Sequence, residues 1–147
     1  MTKSLVRIMK TGILIKRSAI DRKGVFAARD FNKGEAVMKW SIAKTLARRD
    51  LPGVPPEDEK YISHLGKGKY VIMGAPSRFV NHSCDANTKA VNGADIAKRD
   101  IRKGEEITAN YTMEKAPHRF VCNCGSPKCK KAIGEKPVVY ELHKQVL

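Results

Sequence analysis

The chain has 147 residues, enough for one domain whose core needs no disulfide staples. It carries 29 Lys and Arg against 15 Asp and Glu, and residues 1–49 hold 13 basic side chains against 3 acidic ones. No apolar run is long enough to span a bilayer, and Lys3, Arg7 and Lys10 interrupt the apolar residues of the N-terminus, which argues against a membrane protein and against a secretory signal. Such a positive field attracts polyanions, so nucleic-acid contact through the first third and a merely solvated basic face are both open readings.

In chain order, Val6 to Ile20 reads as two short strands separated by Thr11-Gly12. Asp21 to Gly24 forms a turn that runs into an apolar strand from Val25. Gly24 is either a simple turn glycine or a place where a ligand approaches the backbone closely. Asn32-Lys33-Gly34-Glu35 signals a hairpin into a strand over residues 36–40. Residues 41–60 are irregular, with Pro52, Gly53, Pro55 and Pro56 interrupting a short helix expected over Ala43 to Arg49.

Strands are expected at Tyr61-Ile62 and Lys69 to Met73, on either side of the Gly66-Lys67-Gly68 turn. Pro76 is expected to begin a helical turn carrying Arg78 to His82. Asn92-Gly93 is the strongest hairpin signal and joins strands over residues 87–91 and 95–97. Arg102-Lys103-Gly104 feeds a strand over Glu106 to Ala109. The expected class is therefore mostly β, with eight or nine short strands, tight turns and little helix. The tail from Pro137 has apolar residues at roughly helical spacing and is expected to pack on its own core.

Four cysteines occur, three of them in the cluster Cys122-x-Cys124-x4-Cys129 and one, Cys84, far upstream. The cluster is too tight for unstrained disulfides among its own members. Four sulfurs match the number that a closed tetrahedral zinc site takes, with Gly125, Ser126 and Pro127 supplying turn chemistry between ligands. Scattered buried thiols, or two disulfides in a secreted chain, are the alternatives. Thiolate ligation implies a reducing compartment, in cytoplasm, nucleus or nucleoid.

Arg78-Phe79-Val80-Asn81-His82-Ser83-Cys84 resembles the R-F-I-N-H-S-C motif of the SET-domain protein lysine methyltransferases. Gly104-Glu105-Glu106-Ile107-Thr108-Ala109-Asn110-Tyr111 is similar to that family's G-E-E-L-T-x-D-Y motif, residues 122–129 to its post-SET pattern C-x-C-x4-C, and Lys23-Gly24-Val25-Phe26-Ala27 to its G-x-G-V-F-A segment. Three departures stand out. Asn110 replaces the usual Asp, Ala75 stands where an Asn often follows the glycine, and Arg22 occupies the position of the first glycine.

The resemblance implies a SET fold of the β-clip type, built of several small sheets with a C-terminal pseudoknot. The SET domain would span residues 1–113, a zinc-bound post-SET segment 114–134 and a tail 135–147. It implies S-adenosylmethionine as co-substrate and one structural zinc on Cys84, Cys122, Cys124 and Cys129. Tyr111 would be catalytic. Lys23, Gly24, Val25, Arg78, Asn81, His82 and Phe120 would bind the cofactor, Phe120 closing the site over cofactor and lysine. The substrate would be a lysine in a histone or another basic, nucleic-acid-associated protein. With no zinc-rich pre-SET region before residue 12, a minimal enzyme shored up by homodimerisation is expected. The competing reading is a zinc-stabilised basic nucleic-acid-binding module that keeps the fold without catalysis.

Overall fold

The structure is a computed structural model that describes residues 12–111 and 120–133. The strand expected before Thr11 and the tail after Ile133 lie outside the described residues. Twelve short strands occur among the described residues: β1 Ile13–Arg17, β2 Lys23–Ala27, β3 Ala36–Lys39, β4 Ile42–Ala47, β5 Ile62–Gly66, β6 Lys69–Met73, β7 Asn81–His82, β8 Thr88–Val91, β9 Ala94–Ala97, β10 Glu106–Ala109, β11 Phe120–Val121 and β12 Ala132–Ile133. The mostly β class holds. The surplus over eight or nine strands comes from two-residue ladders such as β7, β11 and β12, too short to leave a period in the sequence.

Four small sheets result, with orders β1-β2-β10-β7, β3-β9-β8, β4-β6-β5 and β11-β12. In the first, β10 is inserted between β2, with which it runs antiparallel, and β7, with which it runs parallel. Strands distant in sequence thus become neighbours: Thr108 faces Asn81 and Ala109 faces His82. The hairpin at Asn92-Gly93 forms as expected, joining β8 to β9 with φ of 49° and 75° at its two central residues. Both values are positive, as the two-residue turn that matches strand twist demands.

The main core gathers Ile13, Val25, Val37 and Ile107 from the first two sheets, with Phe31 and Ile101, which pair in an isolated bridge, and Val80, which precedes β7. A second, smaller core of Leu46, Leu51, Val54, Ile62 and Ile72 lies on the β4-β6-β5 sheet. Two expectations are corrected here. Residues 43–49 do not form a helix; β4 pairs antiparallel with β6 from Ile42↔Met73 to Ala47↔Lys69, and a 3₁₀ turn follows at Arg48–Gly53. Pairing buries Leu46 against the second core, a tertiary gain that outweighs the helix propensity of Ala43, Lys44, Leu46 and Ala47. The helical turn after Pro76 is only Ser77–Phe79, because Asn81 and His82 leave it to pair with β10.

Candidate functional site

Polar side chains fix the chain around Asn81. Its buried amide Nδ2 lies 3.2 Å from the Asp21 carbonyl, 3.0 Å from the Lys23 carbonyl, 2.9 Å from Glu106 Oε1 and 3.2 Å from Ser18 Oγ. Ser18 Oγ in turn donates to the Glu106 carboxylate at 2.7 Å and accepts the Ile20 N–H at 2.9 Å. One carboxylate, one hydroxyl and one amide therefore hold the β1–β2 loop against β7 and β10. Gly24 is part of this arrangement. A Cβ there would overlap the Glu106 carboxylate, coming 2.9 Å from its Cδ and 3.0 Å from Ser18 Cβ. The absent side chain makes room for Glu106.

A second buried network secures β10 from its other side. Asn87 Nδ2 donates to the Glu106 carbonyl at 2.8 Å, Thr108 N–H donates to Asn87 Oδ1 at 2.9 Å, and Thr88 Oγ1 donates to the Thr108 carbonyl at 2.7 Å. Buried polar groups that are fully partnered specify one register. The chain accordingly leaves β10 in a defined direction at Tyr111.

His82 links three parts of the site. Its Nδ1 accepts the Tyr111 N–H at 3.0 Å, which places the proton of the neutral ring on Nε2. Nε2 lies 3.3 Å from Cys84 Sγ and donates to the sulfur. Burial, then the nearby Lys130 charge, pulls the imidazole down to about 4, so it is neutral at physiological pH. The Tyr111 ring lies 5.4 Å from the His82 ring, and its phenol donates to the Val80 carbonyl.

The four cysteine sulfurs lie within 4.8 Å of one another, with Cys84 Sγ 3.9 Å from Cys122 Sγ. Four sulfurs on one zinc at about 2.3 Å would stand roughly 3.8 Å apart, so the donor set and its spacing fit the ion. Backbone N–H groups point at the sulfurs, Lys130 at Cys84 (3.3 Å) and Lys131 at Cys129 (3.4 Å). Burial pushes the Cys122 thiol up to about 12. Burial also opposes ionisation of Cys124, but the N–H groups of Cys84 and Ser126 win and draw that thiol down to about 6. A metal would deprotonate all four.

Between these groups lies a cavity of about 510 Å³, within the range of small-ligand sites. The β1–β2 loop, Lys60 and Tyr61, the Arg78–Phe79 turn, Asn81, His82, Tyr111 and Val121 to Asn123 line it. Of the residues expected to bind cofactor, Lys23, Arg78, Asn81 and His82 face the cavity, together with Tyr111. Gly24 and Val25 do not line it; Val25 is wholly buried in the main core and Gly24 accommodates Glu106. The closing role expected of Phe120 lies outside the described side chains. Sequence reading missed Ser18 and Glu106, which are 88 positions apart, and the contribution of Lys60 and Tyr61 from the short 3₁₀ turn Glu59–Tyr61 just before β5. The misfit of any side chain at Gly24 is the signal that pairs it with Glu106.

The family model described as SET domain matches residues 22–112. The chain is 34% identical over 136 residues to the variant-silencing SET domain-containing protein of Plasmodium falciparum (isolate 3D7), a match covering 78% of this chain and 5% of that protein. It is 30% identical to human histone-lysine N-methyltransferase 2B over 149 residues, 86% of this chain and 5% of the relative. Against the Drosophila melanogaster histone-lysine N-methyltransferase trr, identity is 26%, covering 88% and 6%. The chain thus spans about one-twentieth of these curated relatives' length. A crystal structure described as a histone methyltransferase of Plasmodium falciparum superposes with a TM-score of 0.56 at 20% identity, covering 70% of this chain and 95% of that one. That likeness carries the fold.

Proposed function

The chain belongs to the SET-domain family, and from that premise we propose that it is an S-adenosylmethionine-dependent protein lysine N-methyltransferase acting on histones or other basic, nucleic-acid-associated proteins. The observation that carries this reading is the convergence of Asn81, His82 and Tyr111 on one cavity that residues 121–123, Cys122 of the cysteine cluster among them, also line. The SET domain would occupy residues 1–113, the zinc segment 114–134 and the tail 135–147.

When bound, the cofactor supplies a methyl group on a positively charged sulfur. The lysine ε-nitrogen attacks that carbon, the C–S electron pair returns to sulfur, and the methylated ammonium releases a proton. The reaction needs alignment, a neutral amine and exclusion of water. An amine drawn beside positive charge in a desolvated site loses its proton more readily. Tyr111 would orient it. The phenol, tethered to the Val80 carbonyl, and the backbone, tethered to His82, hold that ring in place, an effect of position and electrostatics more than proton abstraction.

Asn81 and His82 would hold the adenine and amino-acid portions of the cofactor, with Lys23 and Arg78 at the same wall. Cys84, Cys122, Cys124 and Cys129 would hold one structural zinc, which offers no open position and fastens the segment from residue 120 onward to the β7 loop. Calorimetric titration of the zinc-loaded chain with S-adenosylmethionine tests the reading: one saturable site is expected. Absence of binding would leave the basic binding module in its place.

A further inference from the structure

Hydrogen bonds run without a break from the cysteine cluster to Tyr111, and His82 is the middle member of that chain. The residue is 3% exposed and pairs with Ala109 across the β7–β10 ladder. Its Nδ1 faces the Tyr111 N–H at 3.0 Å and its Nε2 faces Cys84 Sγ at 3.3 Å. The next residue along, Ser83, donates its N–H to the Ala109 carbonyl at 3.0 Å, which leaves little backbone freedom to relax either contact.

The two ring nitrogens cannot change roles independently. A neutral imidazole carries one proton, so one nitrogen donates and the other accepts. With the proton on Nε2 the ring donates to the sulfur, and the Nδ1 lone pair takes the Tyr111 N–H. With the proton on Nδ1, two N–H groups would face each other, and the Tyr111 backbone would have to move. A sulfur that keeps its hydrogen can donate to Nε2 and so permits that second arrangement. A sulfur bound to a metal has lost its hydrogen and can only accept.

Cys84 is laid out as an acceptor. The Lys130 N–H points at the same sulfur from 3.3 Å, so two N–H groups from opposite parts of the chain, β7 and residues 120–133, converge on it. Donors placed in this way around a ligand atom orient it and stabilise the charge it carries toward a metal.

We propose that His82 is a positioning residue that couples the zinc site to Tyr111: its Nε2–H supports Cys84 as a ligand, and the same proton, held there by metal-bound sulfur, leaves Nδ1 free of hydrogen to fix the Tyr111 backbone. Metal occupancy thereby sets the placement of the Tyr111 ring. The inference rests on the zinc set and on the role of Tyr111 given above.

The test separates the two ends of the ring. In the full chain, nuclear magnetic resonance of labelled histidine nitrogens should show the His82 proton on Nε2 when zinc is bound, and a mixture including Nδ1–H after chelation. Two substitutions each keep one contact, because a Gln amide reaches the Nε2 position and an Asn amide the Nδ1 position. His82→Asn is expected to weaken zinc about tenfold in chelator competition and to move the sulfur-to-metal charge-transfer band of the cobalt-loaded chain to lower energy. Its Tyr111 amide should exchange within about threefold of the normal rate. His82→Gln should do the reverse, with zinc affinity within about threefold of normal and Tyr111 amide exchange about tenfold faster. A ring that keeps its proton on Nε2 after chelation, or both readouts moving together in both variants, would overturn the inference and leave the methyltransferase reading standing. A chain that takes up no zinc would overturn the zinc set, and the inference with it.

Discussion

Gly24→Ala offers a sharp test of how the cavity is built. Its φ is not positive, so the backbone tolerates alanine, and in a strand interior that change would otherwise stabilise by roughly 0.5–1 kcal/mol. Here the new methyl overlaps the Glu106 carboxylate and presses on Ser18 Cβ. Glu106 must swing away and give up the hydrogen bonds from Ser18 Oγ (2.7 Å) and Asn81 Nδ2 (2.9 Å). Hydrogen bonds to a charged acceptor contribute about 1.5–3 kcal/mol each, and water repays part of that at a half-buried carboxylate, so a net cost of about 2–4 kcal/mol is expected. The freed β1–β2 loop lines the cavity, so ligand affinity should fall about tenfold or more. Denaturant unfolding and ligand titration of the zinc-loaded protein measure both effects. The decisive comparison is a double-mutant cycle with Glu106→Ala: once the carboxylate is gone, Gly24→Ala should cost less than about 0.5 kcal/mol. Strictly additive costs would refute the steric coupling between Gly24 and Glu106.

Other consequences are open to direct measurement. Tyr111→Phe removes the phenol oxygen from the wall while leaving the backbone bond to His82 in place, so turnover should fall by about 100-fold with cofactor affinity nearly unchanged, in steady-state kinetics beside binding data; normal turnover would remove Tyr111 from the mechanism. Burial raises the Asp95 carboxyl from its ordinary 3.8 to about 6, although the Trp40 indole N–H at 3.2 Å favours the anion. A raised carboxyl pKa contributes stability at low pH that is lost as pH climbs from about 4 through about 6, roughly 3 kcal/mol in all. Asp95→Asn should therefore stabilise the protein at pH 7 by about 1–3 kcal/mol and not at pH 4, as thermal unfolding across pH would show. Cys129→Ser, or chelation, should release one metal per chain, loosen residues 120–133 to hydrogen exchange and weaken cofactor binding. Retention of metal after Cys129→Ser would exclude that sulfur as a ligand.

Much of the site was legible because its chemistry sits in contiguous residues. The Cys122 cluster announces itself by type and spacing, whereas Asn81-His82 with Cys84 two positions later, and Tyr111 just past β10, stand out through their resemblance to the SET-family motifs. The glycine turns placed most strands correctly, since positive φ is a local demand. What failed was decided at a distance. Residues 43–47 have helical composition, and only the ladder to β6 and the burial of Leu46 make them a strand. Asn81 and His82 were read as helical because their pairing partner, β10, lies well downstream. In the sequence Glu106 is one letter of the Gly104 to Tyr111 motif, and its role appears only when Ser18, Gly24 and Asn81 are brought around it. The cavity lining draws on residues 22, 23, 60 and 78, which no local pattern connects.

The central claim is that this cavity serves methyl transfer to lysine, and the most direct measurement is mass analysis of histones and other basic proteins incubated with the zinc-loaded chain and S-adenosylmethionine. The account predicts added methyl groups on lysine side chains, strongly reduced in the Tyr111→Phe variant. Saturable cofactor binding with no lysine methylated on any protein tested would contradict it.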